Sequence, residues 1–116
     1  MIQKRVLYFF AVLLFFTSHI GLAQEMSNED LAKEYMIQAE LILEETRAEI
    51  DARDIYVLAA EADPNNVDAN WYAGLFHLKT IGKDRAVKYF LKVLEIDPNY
   101  RFDILYRIGQ SYQYGM

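Results

Sequence analysis

Apolar and small residues recur along much of this chain at steps of three and four, which place side chains on one face of an α-helix. The first series is Leu31, Tyr35, Ala39 and Ile42, and the second is Ile55, Leu58, Ala59 and Ala62. Ser27, with Asp30 three residues later, predicts the start of the first helix, because a hydroxyl there can accept from a free backbone N–H. We expect a bend near Arg47 and Ala48, since one straight helix would keep the two series apart.

A second pair of helices is predicted after residue 66. Asp68 is expected to cap a helix that carries Trp71 and several leucines. Gly82 is expected to end that helix, and a further helix is predicted from Asp84 to Ile96. The pattern therefore predicts a complete helical hairpin in this part of the chain.

A short sequence that is expected to end a helix occurs twice in the chain. Asp63-Pro64-Asn65 returns further along as Asp97-Pro98-Asn99. A proline cannot continue a helix, and it drives the residue before it towards extended geometry, so both copies are predicted to end a helix. The residues upstream of each proline match in register: Ala52, Tyr56, Ala59 and Pro64 correspond to Ala86, Phe90, Val93 and Pro98.

A 34-residue period with these small and aromatic positions resembles the tetratricopeptide repeat family, whose unit is a helix-turn-helix. The resemblance implies an all-α, solenoid-like stack of antiparallel helix pairs, with repeats at about 31–66 and 67–100 and a partial repeat at 101–116. Gly74 stands twelve residues before Ala86, as the two small packing positions of the family do. Glycine there would let the paired helices come close together.

The match has departures. Asn70, Ala73 and His77 stand where the family usually carries tryptophan, leucine and tyrosine. Trp71 is one residue out of register, so we expect it at a groove or helix edge instead of in the core.

The third unit is incomplete. Its packing residues are predicted, one residue out of the strict period, as Leu105, Ile108, Gly109 and Tyr112. Tyr106, Tyr112 and Tyr114 would then leave aromatic surface at the end of the stack. Two interpretations stay open: the chain is a piece of a longer repeat protein, or it is a short protein that forms a homodimer through this last helix.

Residues 1–23 have the layout of a secretory signal peptide. Lys4 and Arg5 precede a run of eleven apolar residues at 6–16, and small residues then precede a cleavage site after Ala23. The alternative is a membrane anchor, because the stretch Val6–Ala23 carries no charge and its length is near the lower limit for crossing a bilayer. Both interpretations predict export, to the periplasm or to an association with the outer membrane.

The composition argues against several classes of function. The chain has no cysteine, which excludes disulfides and attachment of lipid to an amino-terminal cysteine, and cleavage would change the net charge from −5 to −7 by removing Lys4 and Arg5. Such an acidic chain is not expected to bind nucleic acid. The only histidine beyond the signal segment, His77, is expected at a helix surface or partly buried, and the acids of residues 44–54 follow no calcium-loop pattern. We predict no catalytic residue, no metal and no cofactor.

The family resemblance implies a groove lined by the first helix of each hairpin, which binds a protein or peptide. Carried onto this sequence, the groove residues are Trp71, Leu75 and Leu78 in the second repeat, Tyr106, Gln110 and Gln113 in the third, and Ile37, Leu41 and Glu44 in the first. The basic residues that hold a peptide's terminal carboxylate in some members are missing, so we expect an extended or helical ligand with apolar anchors. The alternative is that Trp71 and its neighbours are ordinary packing residues.

A second, looser resemblance covers the leader and the repeats together. The leader, the acidic repeats and the run Phe102–Tyr112 are similar to the amino-terminal region of exported bacterial envelope proteins, in which such repeats precede a propeller and an OmpA-like domain that binds peptidoglycan. This resemblance implies a scaffold in envelope assembly or cell-wall contact. The alternative is a non-binding structural spacer from a larger envelope protein.

Overall fold

The computed structural model describes residues 25–114, which fold into five α-helices joined by short turns. They are α1 (Asn28–Thr46), α2 (Glu49–Ala62), α3 (Val67–Lys79), α4 (Ala86–Ile96) and α5 (Ile104–Tyr114). These residues contain no strand, so the predicted all-α class is confirmed for this part of the chain. None of these helices is long and apolar enough to cross a bilayer. The predicted signal peptide, residues 1–23, lies outside the described residues.

The first hairpin begins and bends where the sequence predicts. The Ser27 hydroxyl accepts a hydrogen bond of 3.1 Å from the Asp30 backbone N–H, which satisfies one of the free donors at the start of α1. At the other end Arg47 adopts a left-handed conformation with φ of 55°, and its N–H donates to the Leu43 carbonyl at 3.1 Å. This left-handed cap turns the chain so that α2 packs against α1.

The two Asp-Pro-Asn sequences form the same turn. The Asp63 carboxylate accepts from the Asn65 N–H at 3.1 Å, and the Asp97 carboxylate accepts from the Asn99 N–H at 3.0 Å. Both aspartates are extended, with φ and ψ of −135° and 90° at Asp63 and of −146° and 95° at Asp97. The sequence repeat is therefore also a repeat of local structure, in which an aspartate side chain caps the turn that proline requires.

The start of the second hairpin differs from the sequence prediction. Asn66, not Asp68, caps α3, because its side-chain oxygen accepts from the Ala69 N–H at 3.0 Å. Gly82 lies in the loop after α3 with φ of 77°, but it does not itself end the helix, because α3 ends at Lys79 with Thr80 as its C-cap. A 3₁₀ turn, Lys83–Arg85, comes between Gly82 and α4, so the α-helix starts at Ala86, two residues later than predicted.

Consecutive helices pack on one another, and α3 contributes to two core clusters. One cluster lies among α1, α2 and α3 with Tyr89 of α4, and the other lies among α3, α4 and α5. The matched helical positions of the sequence repeat are buried: Ala52, Tyr56 and Ala59 lie in the first cluster, and Ala86, Phe90 and Val93 lie in the second. The matched prolines, Pro64 and Pro98, are exposed in the turns. The repeat spacing thus places equivalent side chains in successive cores.

The packing face of α5 corrects the sequence analysis. Its buried residues are Ile104, Ile108 and Ser111, which stand one full repeat period after the buried Asn70, Gly74 and His77. The strict period therefore holds, and the displacement by one residue was wrong. Of the residues predicted to pack, only Ile108 is buried; Leu105, Gly109 and Tyr112 face outward. One residue of displacement rotates a helix by about 100°, which is enough to exchange a buried position for an exposed one.

Candidate functional site

The predicted groove of the second repeat is filled in the structure. Trp71 is 2% exposed, with its ring centroid 5.2 Å from that of Phe90 and 5.9 Å from that of Tyr100, and Leu78 is also buried. Leu75 is half-buried in the same cluster. The expectation that Trp71 lies at a groove or helix edge is therefore wrong, because α4 and the turn before α5 cover it. The alternative, that it is a packing residue, fits its position.

The remaining predicted groove residues are accessible but lie on different helix pairs. Tyr106 and Gln113 are exposed on α5, and Gln110 is half-buried and accepts from the Arg107 guanidinium at 3.3 Å. On α1, Ile37 and Glu44 are exposed and Leu41 is half-buried. These side chains are accessible, whereas Trp71 is buried, so the structure does not bring all the predicted groove residues to one exposed surface.

The outer face of α5 is a prominent apolar surface. Five large side chains of α5 and the turn before it are each at least 54% exposed: Phe102, Leu105, Tyr106, Tyr112 and Tyr114. Gly109 lies among them, and apart from the backbone of its own helix no atom comes within 4 Å of the position that a Cβ would occupy there. Tyr114 points to another side of α5, with the Lys83 ammonium 4.6 Å from its ring centroid. We call the other five residues, Phe102, Leu105, Tyr106, Gly109 and Tyr112, the α5 face. Tyr106, Tyr112 and Tyr114 are exposed as the sequence predicts.

A second surface feature is a cleft of about 600 Å³ between α2 and α4. Its α2 side carries Arg53, Asp54 and Glu61, and its α4 side carries Lys88 with several apolar residues. Asp84 and Arg85 of the 3₁₀ turn and His77 of α3 also line it. We call this the α2–α4 cleft. The sequence pattern did not predict this cleft. Arg85 and Lys88 are spaced by about one helical turn, which is a signal for two cations on one face.

His77 is more deeply buried than the sequence predicts. Its ring is 5% exposed and stacks on Tyr89 with centroids 5.5 Å apart and planes at 11°. The Nδ1 atom is buried and has no hydrogen-bond partner. Burial lowers the pKa of His77 below its ordinary value, and the positive charges of nearby Arg53, Arg85 and Lys88 lower it further. The imidazole is therefore neutral at neutral pH.

Within residues 25–114, no three His, Cys, Asp or Glu side chains come together as a metal site. Compared with known proteins, the chain matches no family model, no curated protein and no solved structure. The tetratricopeptide resemblance therefore depends on the repeated residues themselves. The two surfaces that remain as candidates for function are the α5 face and the α2–α4 cleft.

Proposed function

We propose that this protein is an exported interaction scaffold that binds a partner protein or peptide on its α5 face. The observation that carries the proposal is the group of four exposed large apolar and aromatic side chains, Phe102, Leu105, Tyr106 and Tyr112, on the outer side of a single helix and its leading turn. Soluble proteins seldom leave such side chains grouped together unless they bind something. Tyrosine is also among the residues that contribute most to binding energy at protein interfaces.

The shape of the surface fits a protein partner. Leu105, Gly109 and Tyr112 follow steps of four and three along α5, so they form one stripe. The open space at Gly109 allows the backbone of a partner helix or strand to approach closely. The exposed rings on either side would flank such a segment and exclude water from its contacts.

The tetratricopeptide-like repeat and the predicted leader support a place for the protein in the bacterial envelope. In a stack of repeated helix pairs, each unit buries its apolar face against the next. None of the helices α1 to α4 covers the α5 face, so a partner bound there would bury it. The competing proposal is a spacer that binds nothing, and it predicts that substitutions on this face change no association.

A capture experiment from envelope extract separates the two proposals. Leu105→Glu and Tyr112→Glu place a charge on the α5 face, whereas Ile81→Glu places the same charge at a residue that is 75% exposed but lies in the α3–α4 loop. We expect the α5 variants to lose a partner that the native chain and the Ile81 variant retain. An identical set of captured proteins for all four chains would favour the spacer.

A further inference from the structure

The α2–α4 cleft has chemistry that the α5 face lacks. We propose that it binds a peptide segment of a partner protein in which a carboxylate side chain adjoins an aliphatic side chain, with the carboxylate between Arg85 and Lys88. This surface is separate from the α5 face, and the inference does not depend on the function proposed above.

The cations of the cleft differ in whether they already form an ion pair with a carboxylate. The Arg53 guanidinium donates to the Asp54 carboxylate at 2.9 and 3.0 Å, to the Thr80 hydroxyl at 3.2 Å and to the Ile81 carbonyl at 3.1 Å. This network neutralises Asp54 and fixes the α2 side of the cleft. Arg53 is therefore a structural part of the wall, not a free anion ligand.

Arg85 and Lys88 differ from Arg53 in their exposure and in their ion pairing. Both are exposed, they stand three residues apart, and neither has a carboxylate within ion-pairing distance among residues 25–114. The Lys88 ammonium lies 4.9 Å from the ring centroid of Tyr89, which leaves its other side open. In a chain with 17 acids and 12 bases, two neighbouring cations without a carboxylate partner favour an acidic ligand.

The remaining acids of the cleft do not cancel this charge at the His77 end. Glu61 is eight residues from Arg53 on α2, about 12 Å along the helix. Asp84 is exposed in the 3₁₀ turn. Among the charged groups, Arg53, Arg85 and Lys88 lower the pKa of His77 and only Asp54 raises it. Near His77 the lining therefore carries three cations, Arg53, Arg85 and Lys88, against the carboxylates of Asp54 and Asp84.

Apolar side chains also line the cleft. They are Val57 on α2 and Val87 and Leu91 on α4, and Leu91 is 41% exposed. A bound carboxylate would thus have an aliphatic wall beside it, which a free inorganic anion would not use. This arrangement is the reason for proposing a peptide with adjoining acidic and aliphatic side chains.

The test uses the full chain and two capped tripeptides, acetyl-Leu-Glu-Leu-amide and its Gln counterpart, followed by NMR of the histidine rings. The His77 signal is identified by its loss in His77→Phe. We expect the Glu peptide to bind, to raise the pKa of His77, and to bind about tenfold more weakly to the double variant Arg85→Gln/Lys88→Gln. The Gln peptide should cause neither effect.

Matched controls separate this site from general charge effects and from the α5 face. Lys33→Gln/Lys79→Gln removes two exposed cations elsewhere and should bind the Glu peptide as the native chain does, and so should Leu105→Glu. Circular dichroism confirms that each variant is helical. Equal affinity for the Glu and Gln peptides, unchanged affinity in the Arg85/Lys88 variant, or equally tight binding of inorganic phosphate alone would overturn the proposal.

Discussion

Gly74 and Phe90 are in contact so close that the glycine has no room for a methyl group. A Cβ built on Gly74 would lie 2.8 Å from the nearest carbon of the Phe90 ring. Phe90 of α4 is fully buried in the cluster shared by α3, α4 and α5, so moving the ring would disturb its packing. The pair sets how closely the two helices of the second hairpin approach.

This contact predicts opposite effects for two glycine substitutions. Gly74→Ala should lower the free energy of unfolding by about 1–3 kcal/mol, because the added methyl overpacks the interface. Gly109→Ala, also within a helix but with no neighbour within 4 Å, should raise the free energy of unfolding by about 0.5–1 kcal/mol through helix propensity alone. Urea unfolding followed by circular dichroism measures both. A stabilising Gly74→Ala would show that the helices do not pack as described.

The burial of the single tryptophan makes a spectroscopic prediction. Trp71 is 2% exposed, and the Arg101 guanidinium lies 4.7 Å from the centroid of its ring. Its fluorescence should be blue-shifted and poorly quenched by acrylamide. Trp71→Ala should lower the free energy of unfolding by about 3–5 kcal/mol, since it leaves a large cavity beside Phe90. Red-shifted, readily quenched emission from the native chain would contradict this packing and restore Trp71 as a groove residue.

His77 predicts a dependence of stability on pH. The folded state lowers the pKa of His77 below its ordinary value of 6.5, so the unfolded chain takes up the proton first as the pH falls. The stability that the folded state gains from holding His77 neutral is fully present above pH 6.5 and is lost as the pH falls below that value. Unfolding measurements from neutral to mildly acidic pH should show a decline in the native chain that His77→Phe lacks. Because both chains contain His19, the difference isolates His77.

A hydrogen bond joins Tyr100, which follows the second Asp-Pro-Asn turn, to Asp68 of α3, and we expect it to stabilise the fold. The Tyr100 hydroxyl donates to the Asp68 carboxylate, and burial together with this bond raises the pKa of Tyr100. Tyr100→Phe should therefore lower the free energy of unfolding by about 1–3 kcal/mol. Tyr106→Phe, at an exposed residue of α5, should have little effect. Equal effects of the two substitutions in denaturant unfolding would show that the bond contributes nothing.

The sequence predicted the helical class and both Asp-Pro-Asn turns because those features depend on neighbouring residues. Proline stops a helix regardless of what packs on it, and Ser27 and Gly82 act on their own backbone. The same local reasoning failed at Asp68, where Asn66 stands two residues earlier and caps the helix first. Choosing between two capping residues that stand so close in sequence requires the backbone geometry.

Candidate surfaces were harder to predict because exposure depends on tertiary packing. Trp71 and Leu105 stand at equivalent places in successive repeats, yet one is buried and the other is 69% exposed. The amino-acid composition of α3 and α5 does not show which of these two side chains is buried. The difference arises because α4 and Tyr100 cover α3, whereas none of the helices α1 to α4 covers the outer face of α5.

Site-specific photo-crosslinking in living cells tests the proposed interaction surface most directly. A benzophenone amino acid is placed at Tyr106 on the α5 face or at Ile81 in the α3–α4 loop, both of which are exposed. We predict a discrete adduct with one partner protein from residue 106 and none from residue 81, and mass spectrometry would show whether that partner is a second copy of this chain. The absence of any discrete adduct at residue 106, or the same adducts from both positions, would contradict the account.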